Sequence, residues 1–342
     1  MTLKKLPLIS LFFCLVTANL AVADVDFSVV DVGVYYYPWW SDTASGAKNW
    51  SFCVDRPLLG FYDSDNVTVI GQHIAWLEEL HVDFVILSWW GNNSFSDNCS
   101  KIFFDCLQNN YTWIKGCLMV ESLGVLDYAG VYSYVYDNFV EPYSECYYTA
   151  EDGWGNIEPL LLFYNWAGME SDLPSNSSWA TKISGHNSYV DWVYHDAVDV
   201  WKSTYEPKIR GRCFPIMPRY DERFCMPYRD TQYTKDTAYE DGWFADQWVE
   251  FSDCITTDRI DWLTICSFNE FEERSGIEPC EDRESEYGDW YIFNMTKENI
   301  LRIKGLSDVT IEGGGIWYKS PFTFGIVIFA IVFGLYFMKR RY

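Results

Sequence analysis

Carboxylates crowd the stretch SFNEFEERSGIEPC, Ser267 to Cys280, where Glu270, Glu272, Glu273 and Glu278 lie closely behind the apolar run WLTIC. If that run is a buried strand late in a barrel, Asn269, Glu270 and Glu273 sit at its carboxyl end, where barrel enzymes keep their chemistry. A helical turn there would put Glu270 and Glu273 on one face with Cβ atoms roughly 5 to 6 Å apart, close enough to flank one glycosidic linkage. Glu272 would then point elsewhere. The bland alternative is a solvated acidic turn capping a helix, with Arg274 as its salt-bridge partner, and spacing alone leaves both open.

Further candidates stand at the ends of other apolar runs. Glu121 closes CLMVE and has the chemistry to bind sugar hydroxyls, or to pair with a nearby Arg. Tyr36, Trp39 and Trp40 after the first run, and Trp89 and Trp90 after DFVIL, offer rings for stacking on a pyranose or for packing the barrel. Asp83 precedes its run and reads as structural, while Asp221 and Glu222 in PRYDERF are possible substrate contacts. His73, His81, His186 and His195 show no metal-ligand spacing, so no metal or other cofactor is expected.

These residues need a scaffold, and the chain offers alternating short apolar runs and amphipathic stretches. VGVYYY, DFVILSWW, CLMVE, LLLFYNW, CFPIMP and WLTICSF read as strands; VTVIGQHIAWLEEL, with Val69, Ile70, His73, Ile74, Leu77 and Leu80 on one face, and DWVYHDAVDVWKSTY read as helices. Strands separated by helices imply a parallel sheet, and at this length an α/β, (β/α)8 TIM-like barrel is the leading form. An open doubly wound sheet is the runner-up, but no GxGxxG loop succeeds any strand. The Ser-, Asn- and Pro-containing loop 168–186 and the stretch DVTIEGGGI are the linker-like segments.

The two ends of the chain suggest its compartment. Lys4 and Lys5, the run LPLISLFFCLVTANL and the small residues Ala21-Val22-Ala23 read as a signal peptide over 1–23. A barrel domain is expected over 24–310 and a linker over 311–321, then a transmembrane helix over 322–338 with Lys339, Arg340 and Arg341 in a cytoplasmic tail, 339–342. That describes a single-pass type I membrane protein with its body in the lumen of the endoplasmic reticulum or Golgi, or outside the cell. Ten cysteines remain after the signal, enough for up to five disulfides, and sequons at Asn49, Asn66, Asn92, Asn98, Asn110, Asn176 and Asn294 favour glycosylation. A net charge of −24 without a basic stripe argues against a nucleic-acid partner. Aromatic residues make up 19% of the chain; most must be core, and the remainder suits a sugar-stacking cleft.

Three stretches, in order, resemble motifs of glycoside hydrolase family 99, the endo-α-mannosidases, and their family 71/99-like relatives: VYYYPWW, HVDFVILSWWG and SFNEFEERSGIEP. The family's late motif is close to WNEWHEGTQIEP, and YGDWYIFNMTKENI resembles the segment C-terminal to that motif in the family. Phe268 and Phe271 replace tryptophans, Glu272 stands where the family has His, and Arg274 and Gly276 replace Gly and Gln. The resemblance implies an endo-acting, retaining hydrolase cleaving within α-mannose-containing oligosaccharides or glycoprotein glycans. By the same resemblance, Glu270 would be the base on the sugar's 2-hydroxyl and Glu273 the acid that protonates the leaving oxygen and later activates water. With Glu272 and Arg274 altering the motif, a catalytically inactive glycan-binding membrane protein is an alternative; a glycosyltransferase is a third reading.

Overall fold

The structure is a computed structural model that describes residues 30–110, 112–121, 128–151, 157–163, 213–221, 223–225, 234–235, 243–255, 260–282 and 288–306. The expected signal peptide, the expected membrane span 322–338, the expected helix 191–205 and Glu222 lie outside these residues. Among the described residues no helix is long and apolar enough to cross a membrane.

Six strands form one parallel, curled sheet: β1 (Asp31–Tyr36), β2 (Phe84–Trp89), β3 (Lys115–Val120), β4 (Leu161–Phe163), β5 (Cys213–Ile216) and β6 (Trp262–Ile265). Their spatial order is β4-β3-β2-β1-β6-β5, so the first strand lies between the second and the last. Asp31 is in register with Trp262 on one side, and Gly33 with Phe84 on the other. That adjacency of first and last strands is what winding a TIM-like α/β fold produces. Six of the eight expected strands are thus among the described residues, each overlapping a run read as a strand from its apolar pattern.

Helices cover the outer face. They are α1 (Val67–Glu79), α2 (Phe95–Asn109), α3 (Tyr128–Val135), α4 (Trp243–Cys254) and α5 (Tyr291–Ile303). Helix α1 starts where Asn66 Oδ1 accepts from the Thr68 amide at 2.9 Å, satisfying one of the four amides a helix N-terminus leaves open. It ends in a Schellman-type turn: His81 takes φ +55°, and the Val82 amide reaches back to Leu77 O at 3.1 Å. Between those caps Val69, Ile70, His73, Ile74 and Leu77 are buried, as the 3.6-residue periodicity predicts.

The strands are buried on both faces, so a helix-facing set and an interior-facing set alternate along each. On β1, Tyr36 meets His73 of α1 and Phe103 of α2, whereas Tyr35 faces Cys117, Cys213 and Thr264 from other strands. Close approach fixes Gly33, because a Cβ there would collide with the ring of Phe84. At the amino end of β2, Asp83 accepts from the Val32 amide at 2.7 Å and pairs with Lys304 just past α5. It ties strand to helix far from the carboxyl end of the sheet, the structural role its position predicts.

The expected disulfides find no bridge among the described residues: Cys53, Cys99, Cys106, Cys117, Cys146, Cys213, Cys266 and Cys280 carry free thiols. Geometry explains two obvious pairings that fail. Cys99 and Cys106 share α2 about 10 Å apart along its axis, beyond the roughly 7 Å that a disulfide spans. Cys213 lies opposite Trp262, which places Cys266 about 13 Å further along the neighbouring strand. The six sequon asparagines among the described residues, all but Asn176, are exposed.

Candidate active site

The segment after β6 leaves the sheet and returns to it, and backbone hydrogen bonds fasten both legs. Phe268 N donates to Tyr35 O at 2.7 Å, Ile277 N to Ser267 O at 2.9 Å and Glu278 N to Phe268 O at 2.8 Å. Residues 269–274 form the tip. Gly276 is needed where the legs meet, since a Cβ there would lie 3.1 Å from Phe268 O.

Asn269 is the keystone of this tip. Its side-chain amide receives the Tyr37 amide at 2.7 Å and donates to Tyr37 O at 3.1 Å, while its own carbonyl accepts from Trp40 Nε1 at 3.0 Å. Trp40 is fully buried beneath the tip, stacked on Trp50 at 4.3 Å. Both side chains, expected to contact substrate, are fully buried and bonded within the protein. Glu270 then folds back over its own turn: Ser267 Oγ accepts from its amide at 2.9 Å, and Glu270 Oε1 accepts from the amides of Glu272 at 2.8 Å and Glu273 at 3.4 Å.

Glu270 is 1% exposed and Glu273 6%, and burial drives both carboxyls up, to about 7 and about 8. Lys48 works against burial in each case, and Glu272 works with it at Glu270. The two environments also differ in hydrogen bonding. Glu270 receives two backbone N–H groups, which favour its charged form, whereas Glu273 Oε2 is buried without a hydrogen-bond partner among the described residues. Hydrogen bonding thus favours the charged form at Glu270 more than at Glu273.

A third carboxyl completes the group. Glu121, just past β3, is buried, accepts from Ser88 Oγ at 2.6 Å and is likewise raised to about 7 by burial. The Tyr37 phenol lies within the electrostatic reach of Glu121, Glu270 and Glu273, and its ring packs on Trp39 at 4.5 Å. Trp39 in turn lies 6.2 Å from Trp90, which is 43% exposed at the rim. Lys48 adds the nearby cation, paired with Glu272 and standing 4.6 Å over the Trp39 ring.

The residues expected to bind substrate thus separate. Trp39, Trp90 and Glu121 come together around the acid pair; Tyr36 and Trp89 do not. Tyr36 donates to or accepts from His73 Nδ1 at 2.9 Å, and Trp89 Nε1 donates to Asp97 of α2 at 2.8 Å while its ring stacks on Tyr134. Both occupy the helix-facing side of their strands, because alternation gives the interior to Tyr35, Tyr37 and Ser88. Asp221 is likewise engaged elsewhere, by Arg223 and Arg274. Lys48 is a site residue that no sequence motif marks; Tyr37 and Ser88 lie within VYYYPWW and HVDFVILSWWG without being singled out there, although counting by twos from Tyr35 or Ile86 points to them.

Arg274, at φ +54°, turns away from the acid pair. Its guanidinium binds Asp55, Asp221 and Asp282, each at 3.0 Å, and Arg219 joins the same cluster through Asp55 and Asp282 at 2.5 Å. Opposite Glu270, the other leg carries Glu278. Its carboxylate accepts from Tyr62 Oη at 2.8 Å and lies 3.3 Å from His73 Nε2, a buried polar chain under the loop. Among the described residues no group of His, Cys, Asp and Glu is arranged to hold a metal ion.

No family model matches the chain, and no curated protein matches it. Solved structures do. The GH99 endo-alpha-mannosidase from Bacteroides thetaiotaomicron in complex with bis-tris-propane has a TM-score of 0.60 at 16% identity, over 81% of this chain and 98% of that one. A second structure of the enzyme from that organism gives 0.58 at 14% identity, over 82% and 100%. At these identities the likeness establishes a shared fold.

Proposed function

We propose that this protein is a glycoside hydrolase that cuts within α-mannose-containing glycans, with Glu270 as base and Glu273 as acid. One observation carries the reading: two buried carboxyls stand at the carboxyl end of β6, raised to about 7 and about 8, with only one of them bonded by backbone amides. Proton transfer near neutral pH needs one group ready to accept and one ready to donate, and environment has separated the two roles here. The fold shared with enzymes described as endo-alpha-mannosidases supports this substrate class, and the loop holds the Asn-Glu-x-x-Glu spacing at the carboxyl end of a TIM-like sheet.

In this reading Glu270 takes the proton from the 2-hydroxyl of the mannose being cleaved as that oxygen attacks the anomeric carbon. Glu273 gives its proton to the departing glycosidic oxygen. An anhydro sugar results; Glu273 then deprotonates water for its opening, Glu270 returns the proton to the 2-oxygen, and the configuration is retained. Glu121 and Tyr37 are placed to bind hydroxyls, and Trp39 and Trp90 to stack on sugar faces. Membrane anchorage with the body in the lumen or outside is part of the proposal, on the strength of the apolar segment 322–338 and its basic flank.

The test is incubation of the full-length protein, purified in detergent, with capped and uncapped high-mannose glycans, and mass spectrometry of the products. Release of an oligosaccharide is expected, with turnover reduced at least about a hundredfold by Glu270→Gln or Glu273→Gln. Glycan cleavage that survives both substitutions would place the chemistry elsewhere.

A further inference from the structure

Lys48 belongs to no motif, yet its position is tightly determined. The chain turns back after Trp40 through Ser41, whose Oγ accepts from the amides of Thr43 at 3.1 Å and Ala44 at 3.0 Å, and through Gly46 at φ +80°. Lys48 N then donates to Trp39 O at 2.7 Å, and Lys48 O accepts from Ser41 N at 2.9 Å. This short ladder sets the lysine stem beside Trp39, and the ammonium stands over the indole face at 4.6 Å. From there it reaches across to Glu272 of the opposite loop.

We propose that Lys48 is a positioning residue for the acid pair, one ammonium held by Trp39 and Glu272 so that it sets the charge state of Glu270 and Glu273. The inference rests on the glycosidase reading of these two carboxyls. Glu272 is a second lever on the same pair, because its amide is bonded to Glu270 Oε1 while its carboxylate holds the lysine. Glu272 thus presents its charge to Lys48 instead of leaving an uncompensated anion beside the pair.

The groups facing this site come from several elements: Tyr37 after β1, Cys53 in the loop beyond it, Glu121 after β3, Cys225 after β5, and Cys266 and Glu272 around the tip. Burial holds the thiols and the phenol in their protonated forms. Lys48 is thus the cation that acts on Glu270, Glu273 and Glu121 alike, lowering each against the effect of burial. Burial also works to lower Lys48 itself, but Glu270 and Glu272 outweigh it and the ammonium stays charged.

The consequence is a pair of opposite shifts that a purely structural ion pair would not give. With Lys48→Met, both limbs of the pH–rate profile of the full-length protein move up by about one unit, as expected for removal of an opposite charge. With Glu272→Gln the acid limb moves down; Lys48→Arg leaves the profile in place. Carbon-13 titration of the Glu270 and Glu273 carboxyls, assigned through their Gln variants, reads the same shifts without turnover. That separates the two ideas: absent glycan release would defeat the glycosidase reading, whereas carboxyl titrations unmoved by Lys48→Met, or moved the same way by both substitutions, would overturn the role of Lys48.

Discussion

Glu273 and Arg274 are neighbours in sequence and belong to two opposite kinds of buried charge. On one side of the peptide, Glu270, Glu273 and Glu121 are buried without a buried cation in contact among the described residues; Glu270 accepts from amides and Glu121 from a hydroxyl, and all three are raised into the neutral range by burial. On the other, Asp55, Asp221 and Asp282 are bound by Arg274 and Arg219 at 2.5 to 3.0 Å. A carboxyl buried with its counter-ion is scaffold; one buried without it holds a proton that chemistry can use.

The sharpest way to break this contrast is to remove the cation from the scaffold side. Arg274→Met leaves the aspartates partly uncompensated, and the expected loss is about 3 to 5 kcal/mol of stability, seen as a lower denaturation midpoint. Glu273→Gln, one residue away, replaces a carboxyl that is mostly neutral in the fold and loses activity with little stability at pH 6. A melt equally damaged by both substitutions would erase the distinction.

A smaller effect comes from linkage. Glu270 and Glu273 have folded pKa values above the roughly 4.3 of an unfolded glutamate, so the folded state binds more protons across the intervening range. Stability from these groups is therefore full below about pH 4.3 and falls as pH rises through about 7 to 8. The Glu270→Gln/Glu273→Gln double variant should show a flatter unfolding free energy between pH 5 and 8.5 than the unsubstituted protein. An equally steep fall in both would mean that the pair is ionised in the fold.

How much of this is legible in the sequence depends on the range of the interaction. Strand positions and the buried face of α1 come from local periodicity, and the Glu pair from spacing at a strand end. Tyr36 and Trp89 group with site residues in the sequence because an aromatic run reads as one platform until alternation divides it between two faces. Lys48 is invisible for another reason: its partner Glu272 is 224 positions away, and nothing in either segment encodes the meeting. Arg274 reads as a partner for the acidic turn, but its partners come from three other segments that only the fold assembles. Among the described residues the expected disulfides are likewise unformed, since an even cysteine count says nothing about distance.

The most direct measurement is kcat/KM for glycan release by the full-length protein as a function of pH, with Glu273→Gln alongside. The profile should be a bell whose apparent limbs belong to the pair and lie near 7 and 8, collapsing in the variant. Limbs at the ordinary carboxylate values near pH 4, or release undiminished by Glu273→Gln, would contradict the assignment of Glu270 and Glu273 as the catalytic base and acid.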